Sequence, residues 1–290
     1  MGRSSLARYP TVSAIALFLI HRHQATINLV VAIIPRLIGL GLILVYCFWT
    51  NPAQAGQLAD RMAQFPDWQG KPPVTAATGD LVYPDWMEGT WNVTSTLVEQ
   101  VAPLAPEIVT PGFKSNRRYL NQPIQFQVRF ERVDQVQSKS RDRIIPLPQQ
   151  TESAIVADRE FNGLNIAQAY LGNDAIRSVK LDPASVNRQI TELRSGRQII
   201  SIVTGRNTET PSRDRFIATE VINQYFRGTN QPYLNQVETT TAYHQLPSPD
   251  SGIEAWQITA IYLSPQDPDY FKALDQPVAL YRYRLHLEPL

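Results

Sequence analysis

A cluster of basic side chains lies in the stretch "PGFKSNRRYLNQP", directly before a strongly alternating apolar run. It contains three cations close together: Lys114, Arg117 and Arg118. Ammonium and guanidinium groups bind carboxylates and phosphates, and arginine can do so through two parallel hydrogen bonds. The stretch therefore predicts a site for an anionic group or for the acidic surface of a partner. The alternative is a solvated loop whose arginines pair with carboxylates such as Asp85 and Glu88.

Catalytic and metal-binding spacings are missing from the sequence. His244 and His286 are the only histidines after residue 55, and they stand far apart, whereas a metal site needs three or four nitrogen, oxygen or sulfur ligands. Neither the G-x-S-x-G elbow of a serine nucleophile nor a G-x-x-x-x-G-K-[ST] phosphate loop is present. We therefore predict no catalytic residue, no metal and no cofactor.

The stretch "YPDWMEGTWNVTSTL" places Gly89 two residues before Trp91, where a period-two pattern begins. In a small barrel an aromatic side chain on the first strand can plug the closed end, and a glycine lets the backbone bend beside it. The buried indole N–H needs a partner. The last strand offers Arg282 or Arg284, and a guanidinium stacked on the ring would contribute roughly 0.5 to 2 kcal/mol. These four residues are predicted to close the barrel.

Short strands dominate the predicted secondary structure. The clearest has Ile124, Phe126, Val128 and Phe130 alternating with polar residues, as in a half-buried antiparallel strand. Similar runs, bounded by turn residues, follow at 153–160, 176–182, 186–193, 197–205, 213–222, 235–246, 255–263 and 278–287. The pattern predicts an all-β, antiparallel barrel of about eight to ten strands. Short helical turns are predicted at 162–172 and 267–274.

The first 55 residues differ from the rest. They contain four arginines and no acidic residue, and the apolar stretch "LIGLGLILVYCFW" is followed by Ala53 and Ala55. A basic region, an apolar core and an A-x-A site predict a signal peptide cleaved after Ala55. The alternative is an uncleaved membrane anchor over 27–49. We expect an exported protein in either case.

The remaining chain is near neutral. The whole sequence has 27 Lys and Arg against 26 Asp and Glu, and losing the four leader arginines leaves 23 against 26, a net charge of −3. This composition gives no overall field for nucleic acid, so no nucleic-acid partner is predicted. Cys47, the only cysteine, lies in the leader, so no disulfide is expected. We divide the chain into a leader (1–55), an irregular arm (56–82) and a barrel domain (83–290).

Two resemblances follow from these motifs. Gly89-Thr90-Trp91 with a terminal-strand arginine resembles the calycin superfamily, which includes the lipocalins. "YPDWMEGTWNVTSTL" followed by "PLAPEIVTPGFKSNRRYLNQPIQFQVRF" resembles an uncharacterised family of cyanobacterial and plastid proteins, over residues 80 to 290. The second resemblance implies a location in the thylakoid lumen or periplasm, and it implies no activity.

The predicted inward-facing side chains suggest a ligand site inside the barrel. They are Trp91, Val93, Phe126, Val128, Phe130, Trp256, Ile258 and Tyr262. A barrel of this size either fills its interior or holds one small ligand, so the first hypothesis is binding of a small apolar lipid, quinone or pigment. The second is a non-catalytic assembly or auxiliary factor for a membrane complex, such as a photosynthetic one. A barrel enzyme of the allene-oxide-cyclase or dirigent type would leave no motif and stays open.

Overall fold

The structure is a computed structural model that describes residues 56–136, 151–228, 233–247 and 252–290. The predicted leader, residues 1–55, lies outside these ranges, so its cleavage and its role in export stay predictions. The described residues form one compact unit with its own hydrophobic core. Within the described ranges, no helix combines the length and apolar character that a membrane-spanning segment needs.

Antiparallel strands make up most of the described chain, which confirms the predicted fold class. Ten of the described strands have seven residues or more, and they are rich in the β-branched and aromatic residues that favour extended backbone. The strands are β1 (Thr75–Ala76), β2 (Val82–Tyr83), β3 (Gly89–Val101), β4 (Pro123–Val136), β5 (Thr151–Ala157), β6 (Ile176–Asp182), β7 (Ser185–Leu193), β8 (Gln198–Ser212), β9 (Arg215–Arg227), β10 (Tyr233–Gln245), β11 (Ile253–Leu263) and β12 (Ala279–Pro289).

The strands form one sheet in the order β2-β5-β4-β3-β12-β11-β10-β9-β8-β7-β6, and β1 pairs with β8. Most neighbours are consecutive in the chain, whereas β3 pairs with β12, so that Val93 lies opposite Leu287. This pairing joins the first long strand to the last one. The sheet curls into a half-barrel and leaves one side open between β6 and the first half of β4, which β5 does not pair with.

A helix spans that open side. The helices are α1 (Gln57–Ala63), α2 (Phe113–Asn116), α3 (Arg159–Leu171) and α4 (Tyr270–Ala273). Asp158 caps the start of α3, where its side chain accepts a hydrogen bond from the Phe161 backbone N–H, and Gly172 follows the last residue of the helix. It packs against both β4 and β6, which flank the open side. The sheet and α3 together therefore enclose an interior.

Both faces of the central strands are covered. We call the face toward α3 the inner face, and its core contains Met87, Trp91 and Phe130. The opposite, outer face carries Ile258, Ala260, Tyr262 and Leu280, which pack against Trp68 of the arm. Leu58 of α1 is fully buried as well. The arm therefore lies on the outer face as an integral part of the core.

Candidate functional site

A cavity of about 340 Å³ lies on the inner face, between the sheet and α3. No lysine, arginine, aspartate or glutamate lines it among the described residues. Its apolar lining consists of Val93, Phe126, Val128, Phe130, Ala157, Ile166, Leu285 and Leu287. Its polar lining consists of Tyr83, Ser95, Asn162, Tyr170, Tyr243, Gln257, Thr259 and Tyr283. A neutral, largely apolar space with several hydrogen-bonding groups suits one small, weakly polar molecule.

Trp91 forms the base of this interior. Its side chain is buried in the same core as Val93 and Phe130, both of which line the cavity. The indole N–H donates a 2.9 Å hydrogen bond to the Met87 carbonyl oxygen. A 3-10 turn over Asp85–Met87 brings that carbonyl into place. Gly89 follows the turn with φ of +129°, a conformation open to glycine, and this explains the Gly-x-Trp spacing.

The terminal arginines lie elsewhere, which corrects the prediction that one of them covers Trp91. The Arg282 guanidinium lies 4.5 Å from the centroid of the Trp256 ring and 5.4 Å from that of Phe65. Arg284 is exposed. Because Met87 already satisfies the Trp91 indole, the cation–π contact forms on the outer face with a different tryptophan.

The predicted cavity-lining residues divide between the two faces. Val93, Phe126, Val128 and Phe130 line the cavity, and Trp91 lies at its base. Trp256, Ile258 and Tyr262 instead face outward, while Gln257 and Thr259 between them line the cavity. The prediction placed the apolar set of β11 inside because it assumed that one face only is covered. The docked arm covers the other face, and the cavity accepts polar side chains.

Four tyrosines give the cavity neutral hydrogen-bond donors. Burial raises the pKa of Tyr243 to about 12, and it also raises the pKa of Tyr83, Tyr170 and Tyr283. These hydroxyls therefore stay protonated at neutral pH. The Tyr170 hydroxyl lies 3.4 Å from the Ser95 hydroxyl. Such groups can orient a ligand by donating hydrogen bonds to its oxygen atoms. The sequence alone did not identify these tyrosines as lining residues, because tyrosines also occur at alternating positions in ordinary cores.

Asn162 fixes α3 over the cavity. Its side-chain carbonyl accepts from the Arg129 backbone N–H at 2.6 Å, and its amide donates to the Arg129 carbonyl at 3.1 Å. One side-chain amide therefore pairs with the middle of β4, next to the part that β5 covers, as another strand would. The Arg129 guanidinium also bonds to Asp158 and lies 4.5 Å from the centroid of the Phe161 ring. These contacts make α3 a fixed wall of the cavity.

The basic segment, which we define as Lys114, Arg117 and Arg118, is exposed beside the same site. Arg118 donates a 2.7 Å hydrogen bond to the Tyr119 hydroxyl, which in turn donates to the Tyr170 carbonyl at 3.1 Å. Tyr170 lines the cavity, so the basic segment contacts the cavity wall through one tyrosine.

Asp85 and Glu88, the carboxylates proposed above as partners of the basic segment, pair with a different arginine. Arg132 lies 2.9 Å from Asp85 and 2.8 Å from Glu88. Over the described ranges, none of the three cations has a carboxylate oxygen within 4.0 Å. The basic segment is therefore available to an external anion.

A second polar cluster lies under the arm on the outer face. Glu238 is fully buried, and its carboxylate accepts hydrogen bonds at 2.6 and 2.7 Å from Arg61. It also accepts from Trp68, Thr240 and Tyr262. Every oxygen of the carboxylate is thus occupied by protein groups. We interpret this cluster as an anchor for the arm, and no spacing in the sequence pointed to it.

Metal ligation has no support in the part of the chain that the structure describes, where no three His, Cys, Asp or Glu side chains cluster.

A comparison with family models matches residues 75–290 to a domain of unknown function, DUF6816. No curated protein and no solved structure matches the chain.

Proposed function

This chain belongs to the DUF6816 family, and we propose that it is an exported, lipocalin-like protein that binds a small apolar ligand in its interior. The observation that carries the proposal is the cavity of about 340 Å³ between the sheet and α3. Ligand pockets in proteins typically measure roughly 300 to 1,000 Å³ and combine apolar walls with a few polar groups. A lipid tail, a quinone or a small pigment matches this size and lining.

The polar lining supports a ligand with oxygen atoms more than a pure hydrocarbon. An oxygen of the ligand could accept a hydrogen bond from a tyrosine hydroxyl that lines the cavity, such as that of Tyr83 or Tyr283, whereas a pure hydrocarbon could not. Tyr170 and Ser95 lie on one wall, while Tyr83 and Tyr243 lie near the Trp91 end. The proposed ligand therefore carries one or two hydrogen-bonding oxygens, as a quinone does.

Filling the cavity tests the proposal. Ala157 lines the cavity from β5, so Ala157→Phe should fill it and weaken binding of the neutral probe N-phenyl-1-naphthylamine at least about tenfold. Ala154→Phe is the matched control, because alternation along the strand directs this alanine to the other face. Fluorescence titration of residues 56–290 measures both variants. Absence of probe binding by the wild type, or equal binding by Ala157→Phe, would overturn the proposal.

A second candidate function is a non-catalytic auxiliary role at a membrane complex, in which the barrel serves as a scaffold. The observation in its favour is the exposed basic segment. Its test is capture of a membrane complex by the wild-type chain and by a charge-reversed Lys114→Glu, Arg117→Glu, Arg118→Glu variant. Equal capture by both proteins would contradict this role, and loss of capture by the variant would support it.

A further inference from the structure

Exposed apolar side chains lie at one end of the half-barrel, where two long connections leave the sheet. Residues 102–122 join β3 to β4, and residues 264–278 join β11 to β12. In the second connection, Phe271 is 80% exposed and Leu274 is 57% exposed. Large apolar side chains so fully exposed to water, two within four residues, are characteristic of a surface that contacts something else.

The backbone holds these side chains in place. Ala273 and Val278, on either side of Leu274, are buried with Ile108 of the other connection. Leu274 itself has φ of +49°, a left-handed conformation that is unfavourable for leucine. Such strain persists only where the surrounding structure imposes it. The exposed position of Phe271 and Leu274 is therefore fixed by the packing beneath them.

Positive charge at this end is concentrated in one of the two connections. The basic segment belongs to the connection 102–122, whose sole acidic residue is Glu107. In the other connection, Asp269 lies 2.6 Å from Lys272 and Asp275 lies 3.2 Å from Lys71. Asp267 accepts a hydrogen bond from a backbone N–H of its own turn. The two connections together carry four cations and four carboxylates, and the cations without a carboxylate partner among the described residues are the three of the basic segment.

We propose that this end of the half-barrel docks on the surface of a lipid bilayer that contains acidic headgroups. An aromatic and an aliphatic side chain on a fixed turn can insert at the boundary of headgroups and acyl chains. Lysine and arginine side chains beside them are attracted to the negative surface potential. The basic segment also contacts the cavity wall through Tyr119 and Tyr170, so the docked end is the one beside the cavity.

Vesicle co-sedimentation of residues 56–290 tests this docking without any cavity ligand. We expect binding to vesicles of phosphatidylcholine mixed with phosphatidylglycerol, and much weaker binding to phosphatidylcholine alone. Lys114→Gln, Arg117→Gln, Arg118→Gln together should weaken binding about 100-fold at low salt. Phe271→Ser with Leu274→Ser should weaken it at least about tenfold, because burial of both side chains is lost.

Two matched controls separate docking from general stickiness. Arg213→Gln, Arg215→Gln, Arg284→Gln removes three exposed arginines away from this end, two of them beside the β8–β9 turn at the opposite end of the sheet, and should leave binding unchanged. Leu290→Ser removes an exposed leucine near Thr90, at the opposite end of the sheet, and should also have no effect. The proposal is overturned if the wild type does not co-sediment with acidic vesicles, or if the control triple variant weakens binding as strongly as the basic-segment variant. Either failure leaves probe binding in the cavity, and therefore the proposed function, untouched.

Discussion

At the residue scale, the most demanding feature of this protein is a charge pair buried under the arm. Arg61 and Glu238 make two hydrogen bonds to each other, and Arg61 also donates to the carbonyl oxygens of Gln69 and Gly70. Burying two charges is costly, and their attraction offsets that cost only when geometry and hydrogen bonding are complete. Because the pairing is complete, the fold can accommodate both buried charges. Removing one partner should destabilise the fold, because the other charge would stay buried without a counterion.

Replacing Glu238 with glutamine should therefore destabilise the fold strongly. The Arg61 guanidinium would keep its position without a counterion, and breaking a buried pair in this way typically costs about 3 to 5 kcal/mol. Urea unfolding of residues 56–290 measures the free energy of unfolding. Arg132→Gln, which breaks an exposed pairing with Asp85 and Glu88, is the control and should unfold much like the wild type. A Glu238→Gln variant as stable as the Arg132→Gln variant would refute the anchoring role.

The cavity tyrosines predict a loss of stability in alkaline solution. The pKa of Tyr243 is raised to about 12 in the folded protein, whereas an unfolded tyrosine releases its proton near pH 10. Between these values the unfolded chain binds fewer protons, so the free energy of unfolding falls as the pH rises from about 10 to about 12. In Tyr243→Phe this fall should be shallower. Denaturant unfolding at several pH values checks it, and identical slopes for both proteins would contradict the prediction.

Single residues also show where reading the sequence succeeds and where it stops. The burial of Trp91 follows from its spacing after Gly89, and four of the eight predicted lining residues line the cavity itself. The predicted contact between Trp91 and a terminal-strand arginine is absent among the described residues, since the Met87 carbonyl, four residues away, accepts the indole hydrogen bond. Trp256 could not be placed, because both faces of β11 carry large apolar side chains and alternation alone does not say which face is inside.

At the scale of elements, α3 decides whether the half-barrel has an interior. The sheet leaves one side open, and α3 covers it by packing on β4 and β6. Gly163 permits the close approach, because a Cβ at this position would lie 2.9 Å from a Val179 methyl carbon. The sequence suggested only a short helix or turn here, since the stretch has mixed polarity on all sides. The physical reason is that α3 faces a partly polar cavity and presents no clean apolar stripe.

Loss of the Asn162 side chain should loosen α3. Asn162→Ala leaves the N–H and the carbonyl of Arg129 without their side-chain partner, which should lower stability by about 1 to 3 kcal/mol. Hydrogen exchange over residues 159–171 should accelerate. Asn165→Ala is the matched control, because the hydrogen bond that Asn165 donates to the Phe161 carbonyl stays within its own helix. Equal exchange rates in the two variants would show that Asn162 does not hold the helix.

At the scale of the whole molecule, the arm and the sheet form one folding unit. The Glu209 carboxylate accepts hydrogen bonds from the Leu58 and Ala59 backbone N–H groups, at the start of α1, and Arg61 and Trp68 complete the attachment. The family match begins at residue 75, after this part of the arm. Phe65 and Trp68 of the arm pack against the outer face, a surface that exists only when the strands meet in the folded sheet.

Truncation to residues 75–290 should therefore be severely destabilising. It would expose Ile258, Ala260 and Leu280 and would leave the buried Glu238 without its counterion. We expect a melting temperature well below that of residues 56–290, measured by circular dichroism. Adding Glu238→Leu to the shorter chain should recover part of the loss, because it removes the unpaired charge. A shorter chain as stable as the longer one would contradict the role of the arm.

The central claim is that the interior holds one small molecule, and native mass spectrometry of the protein purified from the cells that make it tests this most directly. The account predicts that the wild type and Ala154→Phe carry the added mass of a single small molecule, while Ala157→Phe has the mass of the polypeptide alone. Bare polypeptide in all three proteins, or the same added mass in Ala157→Phe, would contradict it.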